Sequence, residues 1–198
     1  MCGITGFWQA SGFRDDAEER VKAMVSRLDH RGPESVGVHI DEKKGLAMGH
    51  SRLCIIDLFS GNQPILSNDS SLVLTANGEF YDYKRHRANL MADGARFRTK
   101  SDSEIAIHYY KRLGLDFVEH LRGEFAFVLY DGKNDRLILV RDRFGIRPLF
   151  YHINGGNLYY GSEAKALLEN PDVPCRLNHK AALHQLMKST VPGTSALV

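Results

Sequence analysis

The sequence predicts an α+β fold in which β-sheets are covered by helices on their outer sides. Strand patterns occur in two groups, one within residues 2–76 and one within residues 125–160. Two helical patterns separate the groups, and a further helical pattern follows the first strand. Because a sheet and a helix must each bury an apolar face, this order favours sheets with helices packed outside them.

The first group begins with a strand at Cys2–Trp8, whose glycines allow other backbone to approach closely. A helix is predicted at Asp15–Asp29 because its apolar residues fall on one stripe, at Val21, Met24, Val25 and Leu28. His30–Glu34 has the composition of a turn. Alternating or continuous apolar residues predict the other strands of this group, at 35–40, 46–51 and 72–76, with a polar loop at 60–71.

Helical patterns and hairpins make up the remainder. Helices are predicted at Tyr83–Ala92 and from Ser101 onward, where Ser101 is the cap and Glu104 occupies the capping-box position. Short strands joined by Gly- and Asn-containing turns are predicted at 125–130, 137–140, 149–152 and 158–160. Further helices are predicted at 117–121, 162–169 and from Asn178 to 188, with a linker at 171–174.

Composition limits the function classes. The 198 residues carry a net charge of +2, which predicts neither a nucleic-acid nor a membrane surface. No apolar run approaches the ~18 residues of a membrane span, and the N-terminus lacks a signal-peptide pattern. Three cysteines give neither a disulfide framework nor zinc spacing, and no metal site is expected. These features favour a cytoplasmic protein with reduced thiols.

Cys2, directly after the initiator methionine, occupies an unusual chemical position. After removal of Met1, this residue would carry both a nucleophilic thiol and a free α-amine. An unperturbed α-amine has a pKa of about 7.7–8.0, so part of it is neutral near pH 7 and can act as a base. The alternative is a terminal cysteine that only packs against its neighbours.

Seven motifs occur in an order that resembles one known family. They are MCGITG at 1–6, HRGPE at 30–34, HSRLCIID at 50–57, NGEFYD at 77–82, SDSE at 101–104, GEFAFVLYD at 123–131 and RDRFGIRPLFY at 141–151. Together they resemble the glutaminase domain of class II glutamine amidotransferases, most of all the N-terminal half of glutamine-dependent asparagine synthetases. The resemblance implies the N-terminal nucleophile hydrolase fold, a four-layer αββα sandwich with two antiparallel sheets.

The resemblance also implies a reaction and its residues. Cys2 would attack the side-chain amide of glutamine, and its own α-amine, through a water, would take the thiol proton. Asn77, through its side-chain amide, and Gly78, through its backbone N–H, would form the oxyanion hole. The remaining positions implied by the family would bind glutamine. Arg52 would bind its α-carboxylate, and Glu79 and Asp102 would bind its ammonium group. Leu53 and Ile55 would line the same pocket through backbone groups.

The resemblance covers 2–170, which we expect to be the glutaminase domain, followed at 171–198 by a linker and the start of an absent or truncated synthetase domain. No cofactor is expected in this chain; ATP and Mg²⁺ would belong to the missing domain. That domain, covalently linked or as a separate subunit, would be the partner that receives ammonia, and homodimers are common in the family. Glu34 and Asp82 replace the usual Asp and Asn of asparagine synthetases, which weakens the subfamily assignment.

Three alternatives stay open at this stage. The domain could retain the fold only for docking or dimerisation. It could be another N-terminal nucleophile hydrolase that cleaves peptide or acyl amides. It could also serve an amidating enzyme of secondary metabolism or of surface-sugar synthesis rather than asparagine synthesis.

Overall fold

Two antiparallel sheets form the centre of the computed structural model, which describes residues 1–13, 16–54, 56–57 and 60–188. The first sheet has the strand order β2-β3-β1-β9-β8. Its strands are β1 (Gly3–Trp8), β2 (Ser35–Asp41), β3 (Leu46–Arg52), β8 (Phe150–Asn154) and β9 (Asn157–Gly161). The second sheet has the order β4-β5-β6-β7. Its strands are β4 (Ile65–Leu66), β5 (Leu72–Phe80), β6 (Gly123–Asp131) and β7 (Arg136–Arg141).

The helices lie outside the sheets. They are α1 (Ala17–Ser26), α2 (Tyr83–Ala92), α3 (Glu104–Leu113), α4 (Ala164–Leu168) and α5 (His179–Lys188), with 3₁₀ turns at Glu42–Lys44 and Gly114–His120. Within the described ranges, no helix combines the length and the hydropathy needed to cross a bilayer.

Three apolar clusters separate four layers. One cluster joins α1 to the outer face of the first sheet through residues such as Phe7, Met24 and Tyr159. A second lies between the sheets, where Ile4 and Met48 meet Val128. The third joins the second sheet to α2 and α3 and includes Phe80, Ile105 and Phe127. Helix, sheet, sheet and helix layers therefore follow in order, which confirms the predicted αββα sandwich.

Period-two alternation explains how one strand serves two clusters. In β1, Ile4 faces the space between the sheets, whereas Phe7 faces α1, and neither is exposed to solvent. Burying a side chain of this kind contributes about 1.5–3 kcal/mol. The first helix packs closely on β3 at Gly49, where a Cβ atom would lie 2.3 Å from Val25 Cγ2. A larger residue at position 49 would push α1 away from the sheet.

Three local predictions were wrong. The short strand β4 lies inside the segment predicted as a polar loop. The second central helix begins at Glu104 rather than Ser101. The Glu104 carboxylate accepts hydrogen bonds from the backbone N–H groups of Arg98 and Thr99, both at 2.8 Å. This carboxylate therefore fixes the preceding loop instead of completing a capping box. The first helix is shorter than predicted, and its predicted first residue, Asp15, lies outside the described residues.

Candidate active site

The start of β1 and the end of β3 lie side by side at one end of the first sheet. Their antiparallel register pairs Gly3 with Ser51, and continuing it by one residue sets Cys2 beside Arg52. The sulfur confirms this proximity, since the N–H of Leu53 lies 3.4 Å from Cys2 Sγ and its carbonyl oxygen lies 3.6 Å away. The thiol is thus held by the backbone that follows Arg52.

The same end of the second sheet supplies polar side chains. Asn77 and Glu79 occupy alternate positions of β5, in phase with Val73, which faces the space between the sheets. Leu74 and Phe80 have the opposite phase and pack towards the helices. Strand alternation therefore aims both polar side chains towards the first sheet, where the Cys2 thiol lies.

A small cavity of about 100 Å³ lies at this junction. Its lining includes all the predicted site residues that the structure describes: Cys2, Arg52, Leu53, Asn77, Gly78, Glu79 and Asp102. Ile55, the remaining predicted residue, lies outside the described residues. Gln63 and Arg147 also line the cavity. Gln63 lies outside the seven motifs, whereas Arg147 lies in the motif at 141–151, which was not expected to contribute to the site. A larger groove of about 560 Å³ lies between α1 and β2, and its described lining residues, such as His39 and Lys43, include no cysteine, serine or threonine.

Cys2 is braced through its backbone as well as its thiol. The Nε of Arg31 donates to the Cys2 carbonyl oxygen at 3.0 Å, and Nη1 of the same guanidinium donates to Glu163 at 2.8 Å. Burial raises the pKa of the Cys2 thiol, and the N–H of Leu53, the terminal ammonium and Arg52 offset this only in part. The thiol is therefore protonated at neutral pH, so its use as a nucleophile requires a base.

Asn77 offers a buried hydrogen-bond donor to the cavity. Only 1% of the residue is exposed, and within the described part of the chain its Nδ2 has no hydrogen-bond partner. An unsatisfied buried amide costs about 1–3 kcal/mol, which a ligand oxygen could recover. Gly78 follows with φ = 137°, and a Cβ atom there would lie 2.0 Å from the carbonyl oxygen of Glu124 in β6. Position 78 therefore requires glycine because of its positive φ and its close packing against β6.

Charges of both signs face the cavity. The guanidinium of Arg52 is buried and is oriented by two acceptors, Asn62 Oδ1 at 2.7 Å and the carbonyl oxygen of Asp57. Asp102 is 3% exposed and accepts a hydrogen bond from the N–H of Phe80 at 2.9 Å. Burial raises the pKa of Asp102, and the neighbouring Glu79 raises it further. A buried cation and two carboxyl groups on one cavity suit a zwitterionic ligand; Arg147, the other cation of the lining, pairs with Glu124 at 3.1 Å.

Met1 extends over the same cavity. It lines the pocket, is 52% exposed, and its sulfur contacts a guanidinium nitrogen of Arg147. While Met1 is attached, the nitrogen of Cys2 is an amide and cannot act as a base.

Two antiparallel sheets between helical layers, with a cysteine directly before the first strand, define the N-terminal nucleophile hydrolase class. Within that class, a family model described as a glutamine amidotransferase domain matches residues 1–197, and the chain belongs to this family.

Several known proteins are similar to the chain. Asparagine synthetase (glutamine-hydrolyzing) 2 of Bacillus subtilis (strain 168) is 38% identical over 191 residues, which cover 96% of this chain and 25% of that protein. Amidase chry2 of Gibberella zeae is 42% identical over 178 residues, covering 85% of this chain and 26% of that protein. The chain therefore spans about a quarter of the length of these relatives.

Two solved structures share the fold. Glutamine phosphoribosylpyrophosphate amidotransferase from B. subtilis, complexed with ADP and GMP, has a TM-score of 0.65 and 25% identity, covering 83% of this chain and 42% of that one. The allosteric regulatory enzyme of purine biosynthesis has a TM-score of 0.70 and 24% identity, covering 85% and 43%. These matches confirm the fold class predicted from the sequence.

Proposed function

We propose that the chain, once Met1 is removed, hydrolyses the side-chain amide of glutamine to give glutamate and ammonia. The observation that carries this proposal is the convergence of the Cys2 thiol and the Asn77 amide donor on one cavity that also contains Arg52 and Asp102; among the described residues, that donor has no partner. The family supports the proposal because it consists of glutamine amidotransferase domains.

In the proposed reaction, the free α-amine of Cys2 takes the proton of its own thiol as the sulfur attacks the amide carbon. The carbonyl oxygen becomes an oxyanion that receives hydrogen bonds from the Asn77 side chain and the Gly78 N–H. Removal of one such donor typically lowers the rate about 10²–10³-fold, because these donors are oriented towards the oxyanion before the reaction begins. The intermediate then collapses to a thioester, and the departing nitrogen takes the proton and leaves as ammonia. Water hydrolyses the thioester to glutamate.

The charged residues would select free glutamine over glutamine inside a peptide. The fork of Arg52 suits the α-carboxylate, which a guanidinium binds through two parallel hydrogen bonds. Glu79 and Asp102 suit the α-ammonium group, and its positive charge would favour ionised Asp102. Backbone groups of Leu53 and Ile55 would complete the pocket. A peptide-bound glutamine lacks both charges and would leave the guanidinium and the carboxylates without partners.

The ammonia would serve an ATP- and Mg²⁺-dependent synthetase domain, with asparagine formation as the proposed outcome and the cytoplasm as the proposed location. This rests on the asparagine synthetase relatives, of which the chain matches about a quarter. Amidase chry2 supports a second candidate, amidation in another pathway. Assay of the full-length protein with aspartate, ATP and glutamine separates the two, since only the first yields asparagine.

The glutaminase proposal is tested by Cys2→Ala. Intact mass first establishes that Met1 is absent, and glutamate release from glutamine is then measured. We expect the variant to lose glutamine hydrolysis altogether, whereas Cys175→Ala, at an exposed cysteine, keeps wild-type activity. Protein that retains Met1 should be as inactive as Cys2→Ala.

Two results would contradict the proposal. Full activity in Cys2→Ala would exclude the thiol as nucleophile. A processed wild-type protein that cleaves acyl amides but leaves glutamine intact would indicate a different N-terminal nucleophile hydrolase.

A further inference from the structure

Next to the site, the edge of β5 has no paired strand beyond β4 within the described residues. The two residues of β4 pair with Val73 and Leu74, and Ile65 lies opposite Leu74. Continuing this register by two residues would set position 63 opposite Ala76, the residue before Asn77. The strand β4 begins only at Ile65, so residue 63 is not a strand partner of Ala76.

The backbone of Gln63 turns away from β5 towards the first sheet. Its carbonyl oxygen lies against Gly37 of β2, so closely that a Cβ atom on that glycine would be 1.8 Å away. The backbone of residue 63 therefore packs on the opposite sheet.

The side chain of Gln63 takes over the missing pairing. Its Oε1 accepts a hydrogen bond from the N–H of Ala76 at 2.6 Å, and its Nε2 donates to the carbonyl oxygen of Ala76 at 3.1 Å. A primary amide has the same donor and acceptor as a peptide group, so this side chain replaces one residue of a neighbouring strand. His50 reinforces the contact, with Nε2 3.2 Å from the same carbonyl oxygen.

We propose that Gln63 is a positioning residue that fixes the Ala76 peptide and thereby aims the Asn77 amide at the oxyanion. This inference rests on the proposed glutaminase function. The Nδ2 of Asn77 has no partner within the described part of the chain, so its direction depends on how firmly the backbone before it is held. Both polar groups of the Gln63 amide are engaged by Ala76, and its effect should therefore fall on the transition state rather than on glutamine binding.

The first test compares Gln63→Met with Gln9→Met. Methionine keeps the length of the side chain but removes both hydrogen bonds to Ala76. We expect kcat for glutamine hydrolysis to fall about 10-fold, less than the 10²–10³ typical for loss of an oxyanion donor itself, with KM changed less than about twofold. Gln9 is a matched control because it is buried and bonds to Asp172 and Tyr159, outside the cavity. Its variant should melt at a lower temperature with unchanged kcat.

The second test uses Gln63→Glu, which preserves shape. The introduced carboxylate can accept from the N–H of Ala76, but only its protonated form can donate to the carbonyl oxygen. The ratio of its kcat to that of the wild type should therefore rise as pH falls. His50 faces the same carbonyl, and burial lowers its pKa to about 4, while Arg52, Glu79, Asp102 and Arg147 also face the cavity. These groups are present in both proteins, so their own titration largely cancels in the ratio.

The outcomes separate this inference from the function on which it rests. If processed wild-type protein hydrolyses no glutamine, or if Cys2→Ala remains active, the proposed function fails and the inference fails with it. If hydrolysis depends on Cys2 but kcat of Gln63→Met equals that of Gln9→Met, only the inference is overturned. If Gln63→Met does not fold, a pH-independent ratio for Gln63→Glu overturns it, and a rising ratio supports it.

Discussion

Replacement of Arg52 by lysine should weaken glutamine binding while preserving the chemical step. Both terminal nitrogens of Arg52 are already held, Nη1 by Asn62 at 2.7 Å and Nη2 by the carbonyl oxygen of Asp57. The fork is therefore oriented before glutamine arrives. A lysine ammonium is a single point with three donors and cannot bind both acceptors and both oxygens of a carboxylate.

The expected size of the effect follows from the contacts that lysine cannot make. A hydrogen bond to a charged group contributes about 1.5–3 kcal/mol, and Arg52→Lys should lose one such bond to the substrate. A loss of about 2 kcal/mol raises KM about 30-fold, since 1.4 kcal/mol corresponds to a factor of ten. Because lysine keeps the positive charge that lowers the pKa of the Cys2 thiol, kcat should change less than about threefold.

Steady-state glutamate release over a range of glutamine concentrations measures both constants. Arg27→Lys is the control, because Arg27 is exposed and pairs with Glu169 at 3.2 Å, away from the cavity. A KM within twofold of wild type for Arg52→Lys would refute the assignment of Arg52 to the α-carboxylate. A large fall in kcat with unchanged KM would instead place Arg52 in the chemical step.

Two further predictions concern pH and stability. Asp102 has a higher pKa in the folded protein than in the unfolded chain, where its pKa is 3.8. The stability that its neutral form contributes is therefore fully present below pH 3.8 and is lost as pH rises through the pKa of the folded state. Without ligand, Asp102→Asn should therefore melt at a higher temperature than wild type at neutral pH, and the difference should be smaller in acid. The variant should also bind glutamine more weakly. Equal melting temperatures at every pH would contradict this prediction. Burial alone would raise the pKa of Glu163, but hydrogen bonds from Arg31, His30 and Lys165 outweigh it and lower the pKa to about 2. Stability from these bonds is present above the ordinary value of 4.5 and is lost as pH falls through 2, so Glu163→Gln should lower the melting temperature at neutral pH and converge with wild type in strong acid.

Local periodicity was sufficient for most elements. The stripe Val21, Met24, Val25 and Leu28 is buried as predicted, and α2 has the predicted bounds. The spacing of apolar residues indicates which face of a helix or strand is buried, and this spacing can be read from a short stretch of the chain. The motifs likewise singled out the polar residues around the cavity, although only the resemblance to a family suggested their roles.

Long-range contacts decided what the sequence left open. The N–H of Ile4 bonds to Ser162 Oγ across 158 positions, and this pairing helps to place Cys2 in the first sheet. No local pattern records such a partner. The same holds for Gln63, which lies in a segment predicted as a polar loop but supplies the hydrogen bonds that a neighbouring strand would make to Ala76.

The sequence by itself determined the alternation of strands and helices, the apolar faces and the residue types that the chemistry needs. Only the tertiary structure decided how two strand ends and a loop meet around Cys2 and why position 78 must be glycine. It also decided that, within the described ranges, the Asn77 Nδ2 stays without a partner. The reason is physical: side-chain chemistry is a property of single residues, whereas burial, unsatisfied donors and close backbone approach exist only once distant segments have packed together.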